Sequence, residues 1–363
     1  MIPELSHIIP KIANRFRTSP DCLHVVPIKH GSVERNNLWR AIVDRQSYML
    51  KQHFITRPIG DSAFTPFEVE SFALSTLSET GCSVPKVVWQ SNLDFCLLLE
   101  WRGESTLDDA AQTAPLESLK ETITGALSEF CQIEKSFADR HTDFAPYVYP
   151  LDYPTYLRRT MDNILDQGRK TLGYLARLSG EPAASDLDEV WSNLAQALHG
   201  NSATFGTLDY NARNIVIDAG GIIFVDFGSV GWDWSERRIV QFFNSLGANR
   251  EGGNFVNLLN RDVIRAYASR AITYRSGNSE EEIIAQIDYH NILFYLSIVH
   301  RLLAATAQPE QEENKALLRA WRDTKARLNR ALEILEDSDL SDDSTARQIR
   351  EYVGKYRDGA STG

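Results

Sequence analysis

Short runs of β-branched, aromatic and aliphatic residues open the chain. HVVPIKHG (24–31), NLWRAIVD (37–44) and SYMLKQHFI (47–55) are separated by Gly31-Ser32 and by Asp44-Arg45-Gln46, the pattern of an antiparallel meander. The period then changes. In 66–81, Val69, Phe72, Ala73 and Leu77 fall on one helical stripe, and Gly81 supplies a C-terminal stop. Two further strands are predicted at 85–90 and 95–101.

From about Leu116 the periodicity is helical, with segments predicted at 116–139, 153–178, 185–199, 236–247, 255–272, 280–304 and 310–336. In 280–304, Ile283, Ile284, Ile287, Leu293, Leu296 and Leu303 gather near one face, which predicts a core helix. One strand-turn-strand interrupts this half: RNIVIDAGGIIFVDFG (213–228), whose turn Asp218-Ala219-Gly220-Gly221 is hairpin chemistry. The stretch 336–344 reads as an acidic, Ser-rich, solvated linker to a short terminal helix. The fold class expected is α+β with two lobes. Residues 1–100 form a β-rich small lobe, 101–335 a helical lobe carrying the hairpin, and 336–363 the linker and terminal helix. The lobes meet in a tight connection at 100–104.

Composition narrows the classes. The chain has 363 residues, 43% of them hydrophobic, enough for a packed core. No run approaches the ~20 apolar residues that span a bilayer. The amino-terminal apolar residues are broken by Pro3, Glu4, Pro10 and Lys11, unlike a secretory leader. Cys22, Cys82, Cys96 and Cys131 are scattered without a C-x-x-C pair and are expected as buried small hydrophobes in the cytoplasm. A net charge of -11 argues against nucleic-acid binding and suits a cationic partner.

The densest chemistry surrounds the hairpin. T-L-D-Y-N-A-R-N places Asn214 five residues after Asp209, and Asp226 opens an Asp-Phe-Gly triplet 17 residues after Asp209 (226 − 209). Phosphoryl transfer needs a group to accept the proton of an attacking hydroxyl and oxygen ligands for the Mg²⁺ that neutralises the phosphates. Two carboxylates and an amide on the two sides of a short hairpin can meet both needs in one cleft. In the small lobe, Lys51 lies among hydrophobic neighbours on the third strand. Glu70, on the next helix, is its candidate partner; Glu68 competes from a different helix face. Gly31 and Ser32 join two strands, either as a loop whose amides approach a triphosphate or as a plain hairpin turn. Glu100, Trp101 and Arg102, at the exit of a buried strand, offer backbone groups to an adenine edge.

Taken together, residues 22–305 resemble the aminoglycoside phosphotransferase and choline kinase superfamily. The resemblance implies a protein-kinase-like fold with ATP between the lobes and transfer of its γ-phosphate to the hydroxyl of a small molecule: an aminoglycoside, amino alcohol, sugar or nucleoside. On it, Lys51 and Glu70 correspond to the phosphate lysine and its helix partner, Asp209 to the base, and Asn214 and Asp226 to the Mg²⁺ ligands. The competing reading, a pseudokinase that binds nucleotide as an interaction module, is disfavoured by the presence of all five. Two positions depart from the pattern. Thr207 stands where the family usually has the His that supports the metal-binding loop, and Asn211 where it often has His. No Ala-Pro-Glu follows Asp226-Phe227-Gly228, so the platform on which a protein kinase holds a peptide is missing. Trp232 and Trp234 are expected to anchor the following loop, with Asp233 between them as a candidate for the cleft wall. His290 and His300 are read as core or surface histidines, not metal ligands.

Overall fold

The three strands predicted before residue 55 form β1 (Leu23–Lys29), β2 (Asn37–Val43) and β3 (Gln46–Gln52), paired antiparallel in chain order. This computed structural model describes residues 5–29, 36–218, 220–244, 257–275, 277–321 and 323–360. Gly31 and Ser32 lie outside them. After helix α2 (Pro66–Glu79), β4 (Val87–Ser91) and β5 (Cys96–Glu100) complete a sheet of order β1-β2-β3-β5-β4. The unbroken apolar run of β5 has a structural cause, since β5 is buried on both faces. Cys96 and Leu98 join Trp39, Ala41 and Leu50 in a cluster capped by an amino-terminal helix, α1 (Ile9–Phe16), which periodicity did not mark. Leu97 and Leu99 pack on the opposite side with Ala73 and Leu77 of α2.

The helical half begins with α3 (Leu107–Thr113), another short helix missed in the sequence, and continues through α4 (Leu116–Asp139), α5 (His141–Phe144), α6 (Tyr153–Ser179) and α7 (Leu187–Gly200). A strand pair that the apolar pattern did not show follows. It joins β6 (Thr204–Thr207) to β9 (Val230–Asp233) antiparallel, and it brackets the predicted hairpin, β7 (Ile215–Asp218) and β8 (Gly221–Phe224). The remaining helices are α8 (Ser235–Asn244), α9 (Arg261–Ala271), α10 (Glu280–Ala307), α11 (Glu312–Ala320), α12 (Thr324–Asp337) and α13 (Ser344–Ala360). α9 starts later than its apolar stripe because Asn260 caps it, accepting from the Val263 N–H at 3.0 Å. The single helix expected over 310–336 is two helices, broken before Asp323, which has a left-handed φ of 55°.

α10 is the core helix expected. Ile283 and Ile287 belong to one hydrophobic cluster, with α4, β6, β8, α8 and α9; Leu293, Leu296 and Leu302 belong to a second, with α6, α7, α12 and α13. The linker at 336–344 is only partly solvated, because its polar side chains find partners. Leu340 is buried, the Ser341 hydroxyl donates to Asp288 at 2.6 Å, and Arg261 holds Asp339 and Asp342. Beyond it, α13 is part of the helical lobe, burying Ala346, Ile349, Val353 and Tyr356 against α6, α7 and α12. Of the cysteines, Cys82, Cys96 and Cys131 are buried thiols as expected, whereas Cys22 is exposed. Among the described residues no helix is long and apolar enough to cross a membrane. The fold is α+β: a small antiparallel sheet lobe on a larger helical lobe that carries the hairpin.

Candidate active site

Lys51 sits on β3 facing the helical lobe. Its ammonium donates to Glu70 Oε1 at 2.8 Å and to Asp226 Oδ1 at 2.6 Å. Lys51 and Glu70 are both almost wholly buried, so the pair is shielded from water on the α2 side. Burial by itself lowers the Lys51 pKa, but Asp226 and Glu70 outweigh it and hold the pKa above the ordinary lysine value. Burial likewise opposes ionised Glu70, yet Lys51 and His53 bring it down to about 2. Glu68 turns out to have a different task. It closes a capping box with Thr65, accepting from the Thr65 N–H at 2.8 Å, and fixes the start of α2.

His53 was not anticipated. Its Nε2 lies 2.8 Å from Glu70 Oε2, and its ring meets Phe67 edge-on at 5.8 Å. Strand alternation carries the signal, since residues 51 and 53 face the same way on an extended segment. His53 thus backs the carboxylate that backs Lys51.

Across the cleft, Asp209 follows β6. Its amide donates to the Thr207 hydroxyl at 3.3 Å, and that hydroxyl donates in turn to Ser229 O at 3.4 Å. Thr207 therefore supports the loop where the family pattern has His. Asn211 caps the short 3₁₀ turn 212–214, accepting from the Arg213 N–H at 2.9 Å. That turn delivers Asn214, whose Nδ2 donates to Asp209 O at 3.0 Å and leaves Oδ1 as the atom available to a ligand. Asp226 leaves β8 with φ of 70°, a left-handed conformation that turns its carboxylate toward Lys51. The Asp209 carboxylate is open to the cleft on one side. Burial on its other side, and then the charge of Asp226, push its pKa up to about 6 against the pull of Lys51.

Lys51, Glu70, Asp209, Asn214 and Asp226 all line one cavity of ≈340 Å³. It adjoins a second, of ≈530 Å³, through the shared residues Leu38, Met49, Arg213 and Val225. Glu100, Trp101 and Arg102 line that second cavity together with Val216 and Ile28. The Glu100 N–H is already spent on Lys86 O at 2.9 Å. The Trp101 ring carries the Arg40 guanidinium 4.8 Å from its centroid.

Beneath Asp209 lies a support that gave no sequence signal. Arg238 on α8, 1% exposed, donates to Thr207 O (3.0 Å), the Thr204 hydroxyl (2.7 Å), Thr204 O (2.9 Å) and Gly231 O (3.2 Å). Its guanidinium fits because residue 206 is glycine; a Cβ on Gly206 would stand 2.9 Å from Arg238 Cζ. Arg238→Ala should lower stability in urea unfolding by about 3 kcal/mol, since it leaves several buried acceptors without donors, and Arg238→Lys should recover part of that. An unchanged midpoint for Arg238→Ala would show that these bonds do not hold the strand pair together. Asp233 does not line the cleft. It is buried, accepts from the Tyr210 hydroxyl, and pairs with Arg237 at 2.7 Å, locking the residue next to Asp209. Trp234 is buried and Trp232 stacks on Tyr153 at 5.0 Å, the anchoring expected of them. His290 is buried beside Trp234, and among the described residues no three or more His, Cys, Asp or Glu side chains converge as a metal site.

No curated protein sequence matches significantly. Among solved structures, the chain is similar to a choline kinase from Cryptosporidium parvum (11% identity, 91% of this chain and 96% of that chain covered, TM-score 0.49). It is also similar to a Plasmodium vivax ethanolamine kinase (13%, 86% and 83%, TM-score 0.46) and to an amicoumacin kinase in complex with AMP-PNP, Ca²⁺ and Ami (14%, 94% and 96%, TM-score 0.49). The sequence profile of the phosphotransferase enzyme family matches residues 24–275, from β1 through the hairpin to just past α9, and the chain belongs to that family.

Proposed function

We propose that the chain transfers the γ-phosphate of ATP, bound with Mg²⁺, to a hydroxyl of a small molecule, with Asp209 as the base. The observation that supports this most is the bridging of Lys51 between Glu70 and Asp226, on the wall of the cavity that also holds Asp209 and Asn214. The donor set fits a hard cation: the Asp226 carboxylate and the Asn214 amide oxygen are oxygen ligands on one cavity wall. Mg²⁺ held there would neutralise charge on the phosphate oxygens as the phosphoryl group moves.

The chain's own residues divide the remaining work. Lys51, kept charged by its two carboxylates, pairs with phosphate oxygens, and Glu70 with His53 behind it fixes where the ammonium points. Asp209, with its pKa near 6, is ionised at neutral pH and basic enough to accept the acceptor's hydroxyl proton. As that proton moves to Asp209, the acceptor oxygen bonds to the γ-phosphorus, its bond to the bridging oxygen breaks, and ADP leaves. The acidic chain suits a cationic acceptor. The test is a screen of aminoglycosides, amino alcohols, sugars and nucleosides for ADP release and for a phosphorylated product by mass. A protein that binds MgATP yet releases no ADP with any acceptor, or by slow hydrolysis alone, is the pseudokinase instead.

Lys51 and Glu70 should behave as one unit. Lys51→Ala and Glu70→Ala are each expected to lower kcat/KM by about 100-fold, with the double variant scarcely worse than either. Glu68→Ala, which removes only a cap, should cost about 1 kcal/mol of stability and little activity. Additive losses for the first pair would mean that Glu70 does not orient Lys51.

A further inference from the structure

Of the four residues that line both cavities of the cleft, Leu38, Met49 and Val225 are apolar, and the fourth is Arg213. Arg213 is therefore the one charged side chain at the seam between the cavity of Lys51 and Asp226 and the larger one beside it. It is the middle residue of the 3₁₀ turn 212–214, directly before Asn214.

One edge of its guanidinium is anchored. Arg213 Nε donates to Asp108 Oδ2 at 3.0 Å, and Asp108 is buried in the first turn of α3. The two aspartates of that turn have different work. Asp109 closes a capping box with Thr106, accepting from the Thr106 N–H at 2.9 Å, which leaves Asp108 for the arginine. The other edge is open. The Arg213 side chain is 52% exposed, and among the described residues neither Nη1 nor Nη2 has a hydrogen-bond partner. A guanidinium held at Nε has already lost much of its freedom and offers its remaining donors as a fork to an oxyanion.

The charges around it make such a donor matter. In the smaller cavity Lys51 is held between Glu70 and Asp226, and Asp209 adds a third carboxylate. An anion entering there meets repulsion except where a metal or an uncommitted cation faces it. The larger cavity, walled by Ile28, Leu38, Met49 and Val216, is the one that suits a planar base. A nucleotide with its base there and its terminal phosphates at Lys51 and Asp226 crosses the seam with its ribose and first phosphate.

We propose that Arg213 binds that first phosphate through its Nη groups. This rests on the nucleotide reading above and adds to it a phosphate-binding cation besides Lys51 and Mg²⁺.

The test is titration calorimetry on the full chain with adenosine and AMP in the absence of Mg²⁺, since the two ligands differ only in that phosphate. Arg213→Gln should lower AMP affinity about tenfold, as for a lost hydrogen bond to a charged group, and leave adenosine affinity unchanged. The retained adenosine binding also shows that the variant is folded. Arg213→Lys, which keeps the charge but not the fork, should recover only part of the loss. Arg40→Gln removes the same charge from a residue that lines neither cavity, and it should leave the ratio of the two affinities unchanged. Full recovery by lysine, a like change of ratio in Arg40→Gln, an equal loss for adenosine and AMP, or no loss at all overturns the proposal and leaves the nucleotide reading standing. Failure of the unmodified protein to bind either ligand also overturns it, and failure to bind MgATP as well overturns the nucleotide reading with it.

Discussion

Asp209→Asn is expected to lower turnover by roughly 100- to 1,000-fold, the contribution of a lost general base. Nucleotide affinity should change little, because the proposed contact of Asp209 is with the acceptor and not with the triphosphate. The same variant should be slightly more stable than the unmodified protein. Asp209 has a folded-state pKa of about 6 against an ordinary 3.8, so the folded protein holds this proton more tightly than the unfolded chain does. Above pH ~6 the ionised carboxylate therefore opposes folding, by no more than about 1 kcal/mol because one side of it is open to water. Asparagine removes that cost. The stability gap should be full at neutral pH and shrink as pH falls from about 6 toward 3.8, where the unmodified protein is protonated in both states. Activity near that of the unmodified protein would show that Asp209 is not the base. A variant less stable at neutral pH would show that its charge is better compensated than the neighbouring Asp226 suggests.

Asp226→Asn should abolish the enhancement of nucleotide binding by Mg²⁺ and, with it, at least about 100-fold of the activity. Asn214 is neutral and cannot hold a divalent ion without a carboxylate beside it. Asparagine is a better probe than alanine at this position. The left-handed φ of 70° costs an alanine on the order of 1–2 kcal/mol, whereas asparagine adopts that region readily. Lys51 keeps Glu70 as its partner, so the loss is assigned to the metal and not to a displaced lysine. Titrating nucleotide with and without Mg²⁺ reads this directly, and metal-enhanced binding that survives Asp226→Asn places the ligands elsewhere.

Much of this site could be read from the chain because the chemistry restricts the residue types. In the roles proposed for them, few alternatives to Asp209, Asn214 and Asp226 supply a base and two oxygen ligands across one hairpin. The ambiguity between Glu68 and Glu70 was soluble in principle, since Thr65-Pro66-Phe67-Glu68 has the spacing of a capping box, which claims Glu68. His53 follows from strand alternation. Arg238 does not. An arginine on a helix reads as solvated, and its burial depends on the space left by Gly206 and on carbonyls of Thr204 and Gly231 that come together only once β6 and β9 pair. That pairing was itself hidden, because Thr-Phe-Gly-Thr and Val-Gly-Trp-Asp are four-residue strands with no clear alternation and are distant in sequence. The break between α11 and α12 was hidden too. Helical periodicity continues through 310–336, and the left-handed turn at Asp323 has no glycine or proline to announce it.

The docking of α13 on α6 bears on how the protein is made. The strand pair and hairpin that carry Asp209, Asn214 and Asp226 are complete once residue 233 has left the ribosome. The second hydrophobic cluster is not: Leu157, Leu165 and Leu172 of α6 share it with Ile349, Val353 and Tyr356. At roughly 5–20 residues per second, the 123 residues from Asp233 to Tyr356 (356 − 233) take several seconds to synthesise, and through that interval α6 lacks these partners. A nascent chain stalled in this window presents an assembled hairpin above an open apolar face. It is at that stage of translation, more than in the finished enzyme, that a chaperone has a surface to hold.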